Sequence, residues 1–303
     1  AWNQQFFKYR GVGKCLSIGV SFLTNRFWKI MRLALPVIAV AAVVITPLLY
    51  VMCDAGMEEW AANNFIFCCF AVLILVGAMA AIQAFVFRCV CVNIDGINIY
   101  SVGYKYIYNK EFWNNTLKIA AINAIFVAVA WGLIQVTMLG TRLMEEGQTT
   151  AFSQWTPATV AIWIAVAIII YLTTAPLYMV ISVTSLENKG LIHDFVRGYK
   201  LGWKKIGRVA ELEFLILILV SILSVFIMAP AYVISLLLHS ATLSRLQGDI
   251  VNIPAYLTPM TVIILFVAAI ILAIISMARI LPHAYLYAAL KSDEAEEITA
   301  VIQ

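Results

Sequence analysis

The sequence predicts an all-α integral membrane protein of six transmembrane helices with both termini in the cytoplasm. Three observations predict it. Of 303 residues, 63% are hydrophobic and 12% charged, about half the charge that a soluble fold carries on its surface. Six long stretches contain no Asp, Glu, Lys or Arg at all. Eighteen of the twenty Lys and Arg lie on one side of those stretches.

In chain order the stretches are Leu33–Met52, Phe65–Phe87, Ile119–Thr141, Pro157–Val183, Phe214–Leu238 and Tyr256–Met277. Each has the roughly 20 apolar residues that a helix needs to cross about 30 Å of hydrocarbon. None shows the short alternating segments of a membrane barrel. Lys8, Arg10, Lys14, Arg26, Lys29 and Arg32 precede the first. Arg88, Lys105, Lys110 and Lys118 lie between the second and third. Lys189, Arg197, Lys200, Lys204, Lys205 and Arg208 lie between the fourth and fifth, and Arg279 and Lys291 follow the sixth. The other connections hold only Arg142 and Arg245, beside Asp54, Glu58, Glu59, Glu145, Glu146 and Asp249. Basic loops stay in the cytoplasm, which sets the orientation. A basic chain can mark nucleic-acid binding, but charge placed beside helix ends is accounted for by topology, and no nucleic-acid partner is expected.

The three cytoplasmic connections resemble one another. Gly11 and Gly19 mark the first, Gly96 and Gly103 the second, Gly190 and Gly198 the third, and Gly103-Tyr104-Lys105 matches Gly198-Tyr199-Lys200. Phe27-Trp28 and Phe112-Trp113 follow the first two. Polar residues recur at Lys14, Ser17, Ser21 and Asn25, at Asn98, Ser101, Lys105 and Asn109, and at His193, Arg197, Lys200 and Lys204. Each set traces one stripe of an α-helix. A second stripe is apolar or aromatic: Leu16, Val20, Leu23 and Phe27; Ile97, Tyr100, Tyr104 and Ile107; Leu191, Phe195 and Tyr199. Such a helix lies in the headgroup plane. The expectation is therefore one membrane domain, 1–303, of three parallel repeats, 11–95, 96–189 and 190–290, with a cytoplasmic tail at 291–303. Each repeat is an interfacial amphipathic helix followed by a transmembrane hairpin. Inverted repeats of the transporter type do not give this pattern.

With its Gly-aromatic-Lys starts, hairpins and closing Leu286-Tyr287-Ala288-Ala289-Leu290, the chain resembles certain uncharacterised bacterial six-pass proteins. It is similar, too, to the membrane domain attached to some glycerophosphodiester phosphodiesterases. That resemblance implies a membrane module of the bacterial inner (plasma) membrane. The phosphodiesterase's catalytic barrel has no counterpart in this sequence, so its activity is not implied.

Candidate ligand-binding residues are cationic and aromatic groups at headgroup depth: Tyr104, Lys105, Lys110, Arg197, Tyr199, Lys200, Lys204, Lys205 and Arg208. Clustered cations beside a bilayer attract anionic lipid, at about 1 kcal/mol each. Thr173, Thr174 and Pro176 form a possible polar kink, because hydroxyls can satisfy a carbonyl that proline frees. Glu211 and Glu213 are expected to pair with Lys204, Lys205 or Arg208. The cysteines lack zinc spacing, although Cys53 could bridge Cys68 or Cys69 outside the cell, and the three histidines sit at different depths. No metal, cofactor, phosphate loop or nucleophile motif is expected. Span residues such as Gln83, Asn123 and Gln135 are not ionisable, which weighs against ion-coupled transport. The function expected is a non-enzymatic module binding lipid, chiefly anionic, or a partner subunit through the basic face. The alternative is a transporter or permease-like subunit for an apolar or lipidic solute.

Overall fold

Among the residues that the structure describes, six helices are long and apolar enough to cross a membrane. The structure, a computed structural model, describes residues 6, 10–53, 65–145, 157–248, 254 and 256–302. Among these, the elements are α1 (Val12–Asn25), α2 (Phe27–Cys53), α3 (Phe65–Ile94), α4 (Tyr104–Ile107), α5 (Lys110–Glu145), α6 (Pro157–Leu186), α7 (Leu191–Lys204), α8 (Ile206–Leu246) and α9 (Leu257–Ile302), with a 3-10 turn at Ile99–Ser101. No strand occurs among the described residues. The described residues thus form an all-helical fold, as expected.

Helices α1 and α7 are built alike. Each has 14 residues and starts after a glycine, Gly11 or Gly190. Each ends on one basic residue in an interrupted conformation before the next long helix: Arg26 (φ −124°, ψ 19°) and Lys205 (φ −119°, ψ 32°). The α1 stripe of Lys14, Ser17, Ser21 and Asn25 is exposed, as its spacing predicts.

The second connection departs from expectation, for it holds no interfacial helix of that length. Gly96 (φ 73°) closes α3 rather than opening a helix. Its N–H bonds Asn93 O at 3.2 Å and the Ile97 N–H bonds Val92 O at 3.1 Å, the paired bonds of a left-handed helix cap that glycine favours. Asn98 and Asn109 act as caps, not as members of a stripe: their side chains accept from Tyr100 N–H at 3.0 Å and Phe112 N–H at 2.9 Å. Val102 and Gly103 are extended between them. Two short caps so close together leave room only for single turns.

Helix α9 organises the bundle, packing against α1, α2, α3, α6 and α8. Its 46 residues reach about 70 Å, more than twice the hydrocarbon thickness. The expected tail at 291–303 therefore continues the helix as far as Ile302. Helix α1 seats on α9, where a Cβ on Gly19 would stand 2.9 Å from Pro282 N. Helix α7 seats on α6 in the same manner. A Cβ on Gly198 would lie 2.5 Å from Val180 Cα, and one on Gly202 2.7 Å from Pro176 Cα. Small residues at four-residue spacing let two helix backbones approach this closely.

The core gathers at the end of the bundle that carries α1 and α7, here called the basic end. Leu33, Phe85, Phe87, Phe112, Met179, Leu212 and Tyr287 are fully buried there. Toward the opposite end no described residue is buried over 69–75 of α3, 125–138 of α5, 160–172 of α6 or 217–230 of α8. A smaller cluster of Ala231, Leu265 and Ala268, with Leu49 and Met228 against it, holds α2, α8 and α9 together at that end.

Candidate functional site

Docking by its glycine face leaves α7 with two further faces. Asp194, Gly198, Leu201 and Gly202 are buried against the bundle. Ile192, Val196 and Trp203 are exposed on an apolar flank, at 80%, 60% and 43%. His193, Lys200 and Lys204 are exposed on a basic flank. Along the edge of the apolar flank nearest the docked face runs an aromatic ladder: Tyr199 stacks on Phe195 at 5.8 Å and meets Trp203 edge-on at 6.2 Å. Asp194 fixes the helix start, its carboxylate accepting from Gly190 N–H at 3.1 Å, where a negative charge suits the helix dipole.

Beneath α7 lies a clamp centred on Glu187, whose side chain is only 6% exposed. Glu187 accepts from Arg197 Nη1 at 2.5 Å, from Lys291 Nζ at 2.8 Å and from the Tyr287 hydroxyl. These donors tie α7 and α9 to the end of α6. Burial would raise its pKa, but hydrogen bonds from Lys291 and Tyr287 and the charges of Lys291 and Arg197 outweigh it. The result lies below the ordinary value of 4.5. A second tie joins Arg208 of α8 to Asp293 of α9 at 2.5 Å.

Deeper between α6, α8 and α9 is a third polar group. Glu213 is 2% exposed and His283 fully buried. One Glu213 oxygen accepts from Arg279, and the other lies 3.1 Å from His283 Nε2. His283 Nδ1 lies 3.0 Å from the Arg279 carbonyl. Tyr178 covers this group, stacked on His283 at 4.3 Å and beneath the Arg279 guanidinium at 5.1 Å.

The expectation for the carboxylates is thus corrected. Glu213 pairs across to α9, not with Lys204, Lys205 or Arg208, because α8 turns it inward while Glu211 faces outward. Arg197 and Arg208, expected to face lipid, are engaged by Glu187 and Asp293. Lys105, Lys110 and Lys200 are exposed, and Lys205 is half-buried. The Tyr104 hydroxyl donates to Arg32 O at 2.8 Å, so this residue ties α4 to α2. Thr173 and Thr174 donate to Ile169 and Ile170 carbonyls. The carbonyl that Pro176 frees is that of Leu172, so these hydroxyls do not re-satisfy it, and Pro176 serves as the seat of Gly202. Gln83 and Asn123 bond each other at 2.9 Å across α3 and α5, the packing role expected of them.

The sequence reading missed a stripe. Arg279, His283, Tyr287 and Lys291 recur every four residues along one face of α9 and hold Glu213 and Glu187. The spacing was the available signal, one side chain per helical turn. Cys15 is a buried neutral packer on α1, its thiol pushed up to about 11 by burial despite the charges of Arg10 and Arg208. Cys69 is free, while the side chains of Cys53 and Cys68 lie outside the described residues. Among the described residues no group of three His, Cys, Asp or Glu could hold a metal ion.

Fold and composition define a class: an all-helical, multi-pass integral membrane protein. No protein-family model matches the chain, and no curated protein or solved structure matches it.

Proposed function

We propose that the protein is a non-enzymatic module of the plasma membrane whose basic end faces the cytoplasm and binds anionic lipid headgroups, or an acidic partner subunit, along α7. The observation that carries this reading is the division of α7 into a docked glycine face, an apolar flank and a basic flank. A helix held so firmly by one side presents the other two at fixed depth, acyl chains below and headgroups above. The concentration of cationic residues at this end supports cytoplasmic termini. The likeness of α1 and α7, in length, break and glycine seat, supports the repeat of units 11–95, 96–189 and 190–290, with the middle unit's helix reduced to single turns.

A second reading, transport of an apolar or lipidic solute, is favoured by one feature. A cavity of about 480 Å³ opens between α2, α8 and α9, lined by Leu49, Met228, Tyr232, Leu265 and His239. The two readings part in a lipid-binding experiment. Lys200→Gln with Lys204→Gln should weaken binding of phosphatidylglycerol to the protein in nanodiscs roughly thirtyfold, at about 1 kcal/mol per cation, with membrane insertion intact. Undiminished binding ends the first reading. Solute flux in proteoliposomes that survives the same change favours the second.

A further inference from the structure

A second cavity, of about 330 Å³, opens at the basic end where four segments meet. The last turn of α1 supplies Ser21 and Asn25, the break after it Arg26, the end of α3 Asn93, the 3-10 turn Tyr100 and α9 Tyr285. Its polar lining is made of hydroxyls, amides and one guanidinium, with no carboxylate, and Ile18 and Phe22 complete the wall. Arg26 lies over the Phe22 ring at 4.8 Å, and no described carboxylate pairs with it. A cation held over an aromatic face keeps its in-plane N–H groups for another acceptor.

Tyr285 gives the second, independent observation. The residue is 5% exposed, its ring packed on Phe6 at 5.4 Å. Yet no described group hydrogen-bonds its hydroxyl, which lies in the field of Arg26 and Arg10 and reaches the cavity. The ring is thus fixed by packing while the hydroxyl opens onto the cavity, free to donate to an acceptor placed there. Other walls are already ordered: Asn25 Nδ2 donates to Ser21 Oγ at 3.0 Å, and the Tyr100 hydroxyl to Asn25 O at 3.3 Å.

We infer that this cavity between α1, α3 and α9 is a binding site for a phosphate ester, with Arg26 and the Tyr285 hydroxyl on the phosphoryl oxygens and Asn93 and Ser21 on neighbouring hydroxyls. Guanidinium is the side chain best matched to phosphate oxygens, and a single cation among neutral donors suits a singly charged diester. The inference rests on the reading of the basic end as headgroup-facing, but uses none of the α7 residues.

The test is native mass spectrometry of the full chain in mild detergent, with added phosphatidylglycerol, phosphatidylcholine or inorganic phosphate. The wild type should retain one phosphatidylglycerol in preference to phosphatidylcholine. Arg26→Gln and Tyr285→Phe should each weaken that retention about tenfold, the usual effect of losing one hydrogen bond to a charged group. Tyr285→Phe removes a hydroxyl that no described residue holds, so its melting temperature should match the wild type. Competition by inorganic phosphate assigns the site to a soluble phosphate, and its absence to a lipid headgroup; both support the phosphoryl chemistry. Equal retention by the wild type, Arg26→Gln and Tyr285→Phe overturns the inference. If the Lys200 and Lys204 changes still weaken binding in that case, the α7 reading stands alone.

Discussion

Two glutamates on α8 show how environment assigns a residue its role. Glu211 is exposed and Glu213 is buried against Arg279 and His283, although only one residue separates them. From sequence both sit beside Lys204, Lys205 and Arg208, and proximity along the chain is the only available guide to a partner. The true partners lie some seventy positions away on α9. Glu187 offers a measurable consequence. A carboxyl whose folded pKa is lowered adds stability that is fully present above its unfolded value and is lost as pH falls through the folded one. Its unfolded value is near 4.5, so the clamp should weaken as acidification carries the pH below that value and through the lower folded one. Glu187→Gln should lower stability at neutral pH by about 1–3 kcal/mol and flatten the acid limb of the melting-temperature profile. A variant with the wild-type pH profile would remove Glu187 from the clamp.

At the level of the helix, α7 is held by the absence of side chains. Gly198→Ala would drive a methyl into the Val180 backbone and Gly202→Ala another into Pro176. Overpacking of this kind costs about 1–3 kcal/mol. Hydrogen exchange along residues 191–204 should accelerate in either variant. Gly207→Ala, whose Cβ would meet nothing within 4 Å, should leave exchange unchanged. Protected α7 amides in Gly198→Ala would show that the seat is looser than described. The glycines themselves were legible, as regular marks in three connections. What they do was not, because Gly96 and Gly103 recur at nearly the same spacing and yet lie in a helix cap and an extended link. The neighbours decide: Asn98 and Asn109 turn their side chains onto nearby N–H groups, whereas α7 has no such competitor in its interior and a strong amphipathic pattern.

For the whole molecule, apolar length and charge placement made the six spans readable, since both follow from the cost of desolvating ions in hydrocarbon. The order in which the spans pack left no such trace. Orientation gives the test at this scale. Single cysteines placed at Glu58 and near Ala295, in a background without native cysteines, should be labelled from opposite sides by an impermeant maleimide. Labelling of both from one side would contradict the reading of cytoplasmic termini. Helix α9 carries a further consequence. It contacts α1, α2, α3, α6 and α8 and is the last of these helices to leave the ribosome. The seat that Pro282 offers Gly19 does not exist while the first eight are being made. The docking of α1 on the bundle therefore awaits the synthesis of α9, and until then each spanning helix can rest in lipid with its own backbone hydrogen bonds satisfied.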